Sequence, residues 1–157
     1  MTNLAYTGIG SRKTPDNILM NMTKLAYDIG KAGYTLRSGG ADGADTAFEN
    51  GAKMAQSNTE IYLPWKHFNQ HTSPYHHISV GAYDLAAHFH PAWNKCSDSV
   101  RKLHARNCYQ VLGYDLHTLS KFVLCWTPYG NLIGGTSQAI RIAMYFEIPI
   151  INLGKGT

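Results

Sequence analysis

The sequence predicts an α/β fold, a three-layer sandwich built on a mainly parallel sheet of about five strands. Two observations carry this expectation. Short apolar runs alternate with stretches whose apolar residues recur at helical spacing, the pattern of strand–helix–strand crossovers. Three of the strand-to-helix junctions are also rich in glycine: Gly8-Ile9-Gly10-Ser11-Arg12, Ser38-Gly39-Gly40-Ala41-Asp42-Gly43-Ala44-Asp45 and Gly134-Gly135-Thr136-Ser137. A helix start offers unpaired N–H groups and the positive end of the helix dipole. Glycine lets a ligand come close to that backbone. Three such turns on one sheet edge make a pocket for an anion, and phosphate is the anion they fit best.

The elements follow in order. Leu4-Ala5-Tyr6-Thr7, ending at Gly8, reads as a buried first strand. Thr14 is placed to cap a helix that has Pro15 in its first turn, with Ile18, Met22, Leu25, Ala26 and Ile29 at helical spacing and Gly30 and Gly33 as its stop. Tyr34 to Ser38 is the second strand. Ala44, Ala47, Phe48, Ala52 and Ala55 give a second helix with a small-residue face that can sit close to the sheet, and Glu60 to Pro64 is the third strand.

The alternation then breaks. Residues 65 to 96 hold Trp65, Phe68, Tyr75, Tyr83, Phe89 and Trp93 with six of the eight histidines. A short helix is expected from Gly81 to His88. A longer one runs from Ser99 to Leu112, capped by Ser97 or Asp98, with Val100, Leu103, Cys108, Val111 and Leu112 inward and Gly113 as its end. Lys121 to Trp126 is a buried strand. The third glycine turn opens a helix bearing Ala139, Ile142, Ala143 and Phe146, and Ile148 to Leu153 is the last strand.

Composition narrows the class. With 157 residues and 44% hydrophobic side chains, residues 1–157 are expected to form one domain with a real core, carrying an aromatic and histidine-rich insertion at about 65–96. A net charge of +4 suits an anionic small molecule. No Lys/Arg block of the kind that tracks nucleic acid is present; the densest pieces are Arg12-Lys13 and Arg101-Lys102. No signal peptide and no membrane span are expected. Cys96, Cys108 and Cys125 are odd in number and widely spaced, which argues against a disulfide framework or zinc knuckle and for a cytoplasmic location. Cys108 and Cys125 read as small core residues.

Each turn has its own chemistry. The first lacks the third glycine of a dinucleotide fingerprint, but Ser11 and Arg12 supply a hydroxyl and a guanidinium for phosphate. The second packs three glycines into five positions. Its Asp42 and Asp45 can either cap the helix or take a ribose hydroxyl or a water. The third turn adds Thr136 and Ser137 after a buried strand; no Gly-Lys-Ser/Thr follows, so it is not a P-loop. Arg106 and Asn107 are placed to project over the sheet edge. Trp65 or Trp126 could cover a base. His88-Phe89-His90 is a weak metal pattern without a carboxylate pair, and His76-His77 reads as exposed loop.

The ordered set Gly-Ile-Gly-Ser-Arg, then Ser38 to Ala47, then Arg106-Asn107, then strand–Gly134-Gly135-Thr136–helix resembles the SLOG superfamily. This is the Rossmann-like group that includes the DNA-processing protein A domain and the LOG-type nucleoside-monophosphate phosphoribohydrolases. The resemblance runs from about residue 4 to 153, with residues 65 to 96 outside any named pattern, and is to a small single-domain member. The turn at 38 to 45 and Arg106-Asn107 most resemble the DNA-processing branch. The LOG-type enzymes carry a Gly-Gly-x-Gly-Thr-x-x-Glu run whose glutamate assists N-glycosidic cleavage. Here Gln138 stands about where that carboxylate would be, and an amide cannot act as a general base. Hydrolysis would then fall to Asp42, Asp45 or Glu49.

The resemblance implies a nucleotide or nucleotide-derived ligand at this edge, and a homo-oligomer. The leading expectation is a sensor or sequestering protein that holds phosphate on the backbone near Gly10, Gly40 and Gly135. Gly8, Ser11, Arg12, Ser38, Gly39, Arg106, Gly134, Thr136 and Ser137 complete the site, and Asp42 or Asp45 takes ribose. No resident cofactor and no metal are expected. The alternatives are an N-glycoside hydrolase acting on a nucleoside monophosphate or an NAD-derived molecule, and a single-stranded DNA-binding protein, nucleic acid being the less favoured partner.

Overall fold

The computed structural model describes residues 4–155. Five strands form one all-parallel sheet: β1 (Ala5–Gly8), β2 (Thr35–Ser38), β3 (Thr59–Ile61), β4 (Val123–Cys125) and β5 (Ile150–Asn152), in the order β3-β2-β1-β4-β5. The chain first builds outward from β1 to β3, then returns to lay β4 on the other side of β1. Next to β1 the strand order reverses, and in open α/β sheets that switch point is where the carboxyl ends of the strands leave a crevice. The strands are shorter than their apolar runs. Tyr62, just beyond β3, donates its N–H to the Ser38 carbonyl at 2.9 Å and makes an isolated parallel bridge to Tyr75.

Alternation along the strands feeds two cores. On one face Tyr6, Leu36, Ile61 and Leu124 pack with α1 (Asp16–Lys31) and α2 (Ala44–Met54). The small face of α2 serves its contact with α1 as well as with the sheet. A side chain on Gly51 would lie 2.2 Å from the Thr23 carbonyl, and the Thr23 hydroxyl donates to the Ala47 carbonyl at 3.1 Å. Pro15, not Thr14, occupies the cap position of α1; the Thr14 hydroxyl donates to the Ser11 carbonyl at 2.6 Å and so tightens the loop instead.

On the other face Val123 and Cys125 pack with α3 (Val80–Phe89), α4 (Asp98–Leu112) and α5 (Thr136–Tyr145). Ser97 caps α4 by accepting from the Val100 amide, and Gly113, at φ +82°, ends it. Nine consecutive residues of α4, His104 to Leu112, are buried. A helix buried all round has no solvent stripe, so its polar residues must find partners inside. Val100, expected inward, is instead 37% exposed, because the first turn of α4 overhangs the crevice. The aromatic segment is structural in large part: Tyr75, Tyr83, Phe89 and Trp93 pack against this second core. No helix among the described residues is long and apolar enough to cross a membrane.

Candidate functional site

The loops beyond β1, β2 and β4 enclose a cleft of about 980 Å³ at the switch point. Gly10, Ser11 and Arg12 from the first turn, Asp42 and Asp45 from the second, and Gly134, Gly135 and Thr136 from the third all line it. Arg106 and Asn107 of α4 form its wall. Gly8, Ser38, Gly39, Gly40 and Ser137 stand outside that lining, and each has a packing reason.

Gly8 lies in β1, where an added side chain would sit 2.7 Å from the Phe48 ring, and the Ser38 hydroxyl donates to its carbonyl at 2.6 Å. Gly39 has no room for a side chain between Gln110, Arg106 and Asp45. Gly40 turns at φ +72° against Leu63, and its carbonyl accepts from the Asn69 amide at 3.0 Å. The Ser137 hydroxyl donates to the Gly134 carbonyl at 2.6 Å and accepts from Arg141 at 3.1 Å.

The second turn is the most tightly held. Asp45 is 4% exposed and accepts from the Ala41 amide at 3.2 Å. Burial raises its carboxyl from the ordinary 3.8 to about 6, against the pull of the nearby Arg106 charge. Arg106 is 7% exposed and donates to the carbonyls of Gly39 at 2.5 Å and Tyr62 at 3.1 Å and to Asn107 Oδ1 at 3.0 Å. Burial lowers its pKa, and the Asp45 charge pulls the other way. Asp42 is exposed, and Asn69 donates to it at 3.0 Å. Glu49 is held by His71 at 2.9 Å and by Lys53 at 3.5 Å. Of the three acids open to a chemical role, Asp45 alone is both buried and on the cleft wall.

The third turn is the opposite case. Among the described residues, nothing lies within 4 Å of where a side chain would project from Gly134, at φ +77°, or from Gly135, so their backbone is open to a guest. The Gly135 carbonyl accepts from Asn107 at 3.2 Å, which ties this turn to α4. Gln138 is buried away from the cleft; it donates to the Ala86 carbonyl and accepts from Arg141. The amide at that position therefore joins α3 to α5.

Neither Trp65 nor Trp126 reaches the cleft. Trp65 stands edge-on to Phe68, and Trp126 packs against the α1/α2 core. The aromatic that lines the cleft is Phe68, with the Arg106 guanidinium 5.5 Å over its ring. Its segment follows Pro64 and turns through three left-handed residues, His67, Asn69 and Gln70, which a strand–helix pattern gives no means to place. His90 and His104 also line the cleft. With Cys96 they bring two imidazoles and a thiol together, ligand atoms all within 4.8 Å of one another. His88 takes no part in that group; its ring lies edge-on to Phe89.

Neither a protein-family model nor a curated protein sequence matches the chain. Solved structures do. The chain is similar to DNA processing protein A from Helicobacter pylori, described for its single-stranded DNA binding mode, with a TM-score of 0.61 at 19% identity; the match covers 96% of this chain and 65% of that one. It is similar to the molybdenum cofactor carrier protein from Chlamydomonas reinhardtii, with a TM-score of 0.60 at 18% identity, covering 97% and 78% of the two chains. The five-stranded parallel sheet, its strand order and these two likenesses agree: the chain has a Rossmann-like three-layer α/β fold.

Proposed function

We propose that this protein binds a nucleotide or nucleotide-derived small molecule in the switch-point cleft, as a sensor or a sequestering protein. The observation that carries the reading is convergence: main chain from three separate crossovers meets at one cleft, and at Gly134 and Gly135 nothing covers it. The phosphate lies on the N-terminus of α5, where Gly135, Thr136 and the helix dipole favour an anion. Ser11 and Arg12 approach it from the opposite loop, Asp42 takes a ribose hydroxyl, and Phe68 supports the base. The two similar proteins are named for single-stranded DNA and for a molybdenum cofactor, so an anionic guest suits both likenesses. Cytoplasmic location and self-association belong to the same reading. Met144, Tyr145 and Ile151 are exposed beside the edge strand β5, and light scattering measures the mass.

The test is to denature the purified chain, identify any released ligand by mass, and titrate nucleoside mono- and diphosphates against wild type and Gly135→Val. A Cβ at 135 meets nothing within 4 Å among the described residues and the backbone there is helical, so a side chain is accommodated while it fills the cradle. Affinity should fall at least tenfold with melting unchanged. Equal affinity in the two proteins removes the proposal. Binding that instead grows with oligonucleotide length and falls steeply with salt selects single-stranded DNA.

One observation favours a second reading, N-glycoside hydrolysis. Asp45, with its pKa raised to about 6 by burial, is a carboxyl tuned for proton transfer on the cleft wall. Free base released by wild type and absent with Asp45→Asn would select the enzyme.

A further inference from the structure

We propose that His90, Cys96 and His104 form a binding site for a single zinc-class transition-metal ion in the wall of the cleft. The three residues come from different places. His90 ends α3, Cys96 closes the turn at Trp93–Lys95, and His104 begins the buried stretch of α4. No spacing motif links them in sequence; the fold assembles them.

Three features argue for a ligand set over packing. First, the donor chemistry is selective. Two imidazoles and a thiolate suit zinc or its neighbours in the first transition row, whereas magnesium and calcium require oxygen. Second, His104 is 8% exposed and, among the described residues, its buried Nδ1 has no hydrogen-bond partner. A buried imidazole nitrogen normally finds a donor or acceptor, and a metal bond would satisfy it. Third, the three donors already gather in one place, with ligand atoms within 4.8 Å of one another. Cys96 Sγ lies 3.9 Å from both ring nitrogens of His90, and the His90 and His104 ring centres are 4.4 Å apart. A tetrahedral ion with zinc–sulfur and zinc–nitrogen bonds of ~2.3 and ~2.05 Å sets sulfur and nitrogen about 3.5 Å apart.

The surroundings set the terms of binding. Ligation requires neutral imidazoles and a thiolate. Arg141 repels a cation. However, its guanidinium is turned onto the Phe89 carbonyl, Ser137 Oγ and Gln138 Oε1, and the thiolate supplies a compensating negative charge. One hydrogen bond is exchanged on loading if His90 ligates through Nδ1, which accepts from the Ala92 amide at 3.0 Å. The Cys96 thiol gives up a weak contact with the Ala92 carbonyl at 3.5 Å. Three protein ligands leave a fourth position for water or for an oxygen of a guest, as in zinc sites that are not purely structural.

The metal site needs no nucleotide, so it is tested without one, and its failure leaves the anion reading untouched. Untagged, chelator-stripped full-length chain is titrated with cobalt(II) under reducing conditions and then challenged with zinc. The expected result is saturation at one equivalent, with the visible bands of tetrahedral cobalt, a near-ultraviolet thiolate-to-cobalt band, and displacement of both by zinc. Cys96→Ser should lose the near-ultraviolet band and bind at least tenfold more weakly, with the melting of the metal-free protein unchanged. His90→Asn, at a half-buried position, should weaken binding similarly. Wild type that shows no thiolate band, or a Cys96→Ser variant whose titration matches wild type, overturns the assignment.

Discussion

The two faces of the sheet are covered by helices of different character. The α1/α2 face is packed by Met22, Ala26, Ala47, Phe48 and Ala52, with small residues that let two helices approach closely. The α3/α4/α5 face has an apolar core of its own but also buries His104, Arg106, Asn107, Gln110, Ser137 and Gln138. Burying a polar group is costly unless it is hydrogen-bonded, and here Arg106, Gln138 and Arg141 reach carbonyls on other elements. Apart from two buried acids of α2, Asp45 on the cleft wall and Glu49, the first face holds the sheet by shape. The second holds it by a polar network that also forms the cleft wall, so stability and binding are separable on one side and joined on the other.

The largest effects test that separation directly. Phe48→Ala removes a fully buried ring from the apolar face and should cost ~3–5 kcal/mol of stability. Protein that remains folded should bind the nucleotide selected in the titrations as wild type does. Arg106→Ala leaves the Gly39 and Tyr62 carbonyls and the Asp45 charge without their partner, which should cost a similar ~3–5 kcal/mol and abolish binding as well. Denaturant melts paired with binding titrations decide. If Phe48→Ala weakens binding as much as Arg106→Ala does, the two faces are not independent.

Asp45 gives the next largest effect, one that depends on pH. Its carboxyl titrates near 3.8 when unfolded and near 6 when folded. Between those values the folded chain keeps a proton that the unfolded chain has released, so this group makes stability fall as pH rises from about 4 to about 6, with a constant penalty above that. A tenfold change in proton affinity is worth about 1.4 kcal/mol, which puts the ceiling at about 3 kcal/mol; the attraction to Arg106 is already contained in the folded value of about 6. Burial of His104 pulls in the opposite direction over an overlapping range, so the informative quantity is the difference between Asp45→Asn and wild type, measured in chelator. That difference should grow in favour of the variant from pH 4 to 6 and then level off. A flat difference curve would mean that the carboxyl is not desolvated.

Legibility in the sequence follows the same division. The α1/α2 face obeys periodicity, and the helix positions Met22, Ala26, Ala44 and Phe48 are buried as their spacing predicts. The glycine turns can be placed because the strand before each and the helix after each are locally encoded. Which glycines serve packing is not local information. Gly8 and Gly39 are glycine because Phe48, Gln110 and Arg106 arrive there from distant parts of the chain. Thr14 and Val100 depart from their expected places for related reasons, a loop bond to Ser11 and an overhang above the cleft. Residues 65 to 96 are the least legible. Phe68 and His90 reach the cleft through left-handed turns and a helix end, neither of which carries a hydrophobic period. His104 sits in a helix buried all round, where periodicity has no polar side to mark.

The smallest effect sharpens the comparison, because it concerns a residue that belongs to neither core. Arg12 is exposed, lines the cleft, and makes no ion pair among the described residues. Arg12→Ala should therefore leave the melting temperature unchanged. Its role in the proposed site is a charge at the solvent edge, where water and salt screen the attraction. Such exposed pairs are worth ~0.2–1 kcal/mol, so nucleotide affinity should fall about two- to fivefold at low salt and less at high salt. Arg106→Ala, by contrast, should lose binding at any salt, since its charge is buried. A loss at Arg12 as large as that at Arg106, and equally insensitive to salt, would mean that the first turn closes over the guest and that the site is more enclosed than the open third turn suggests.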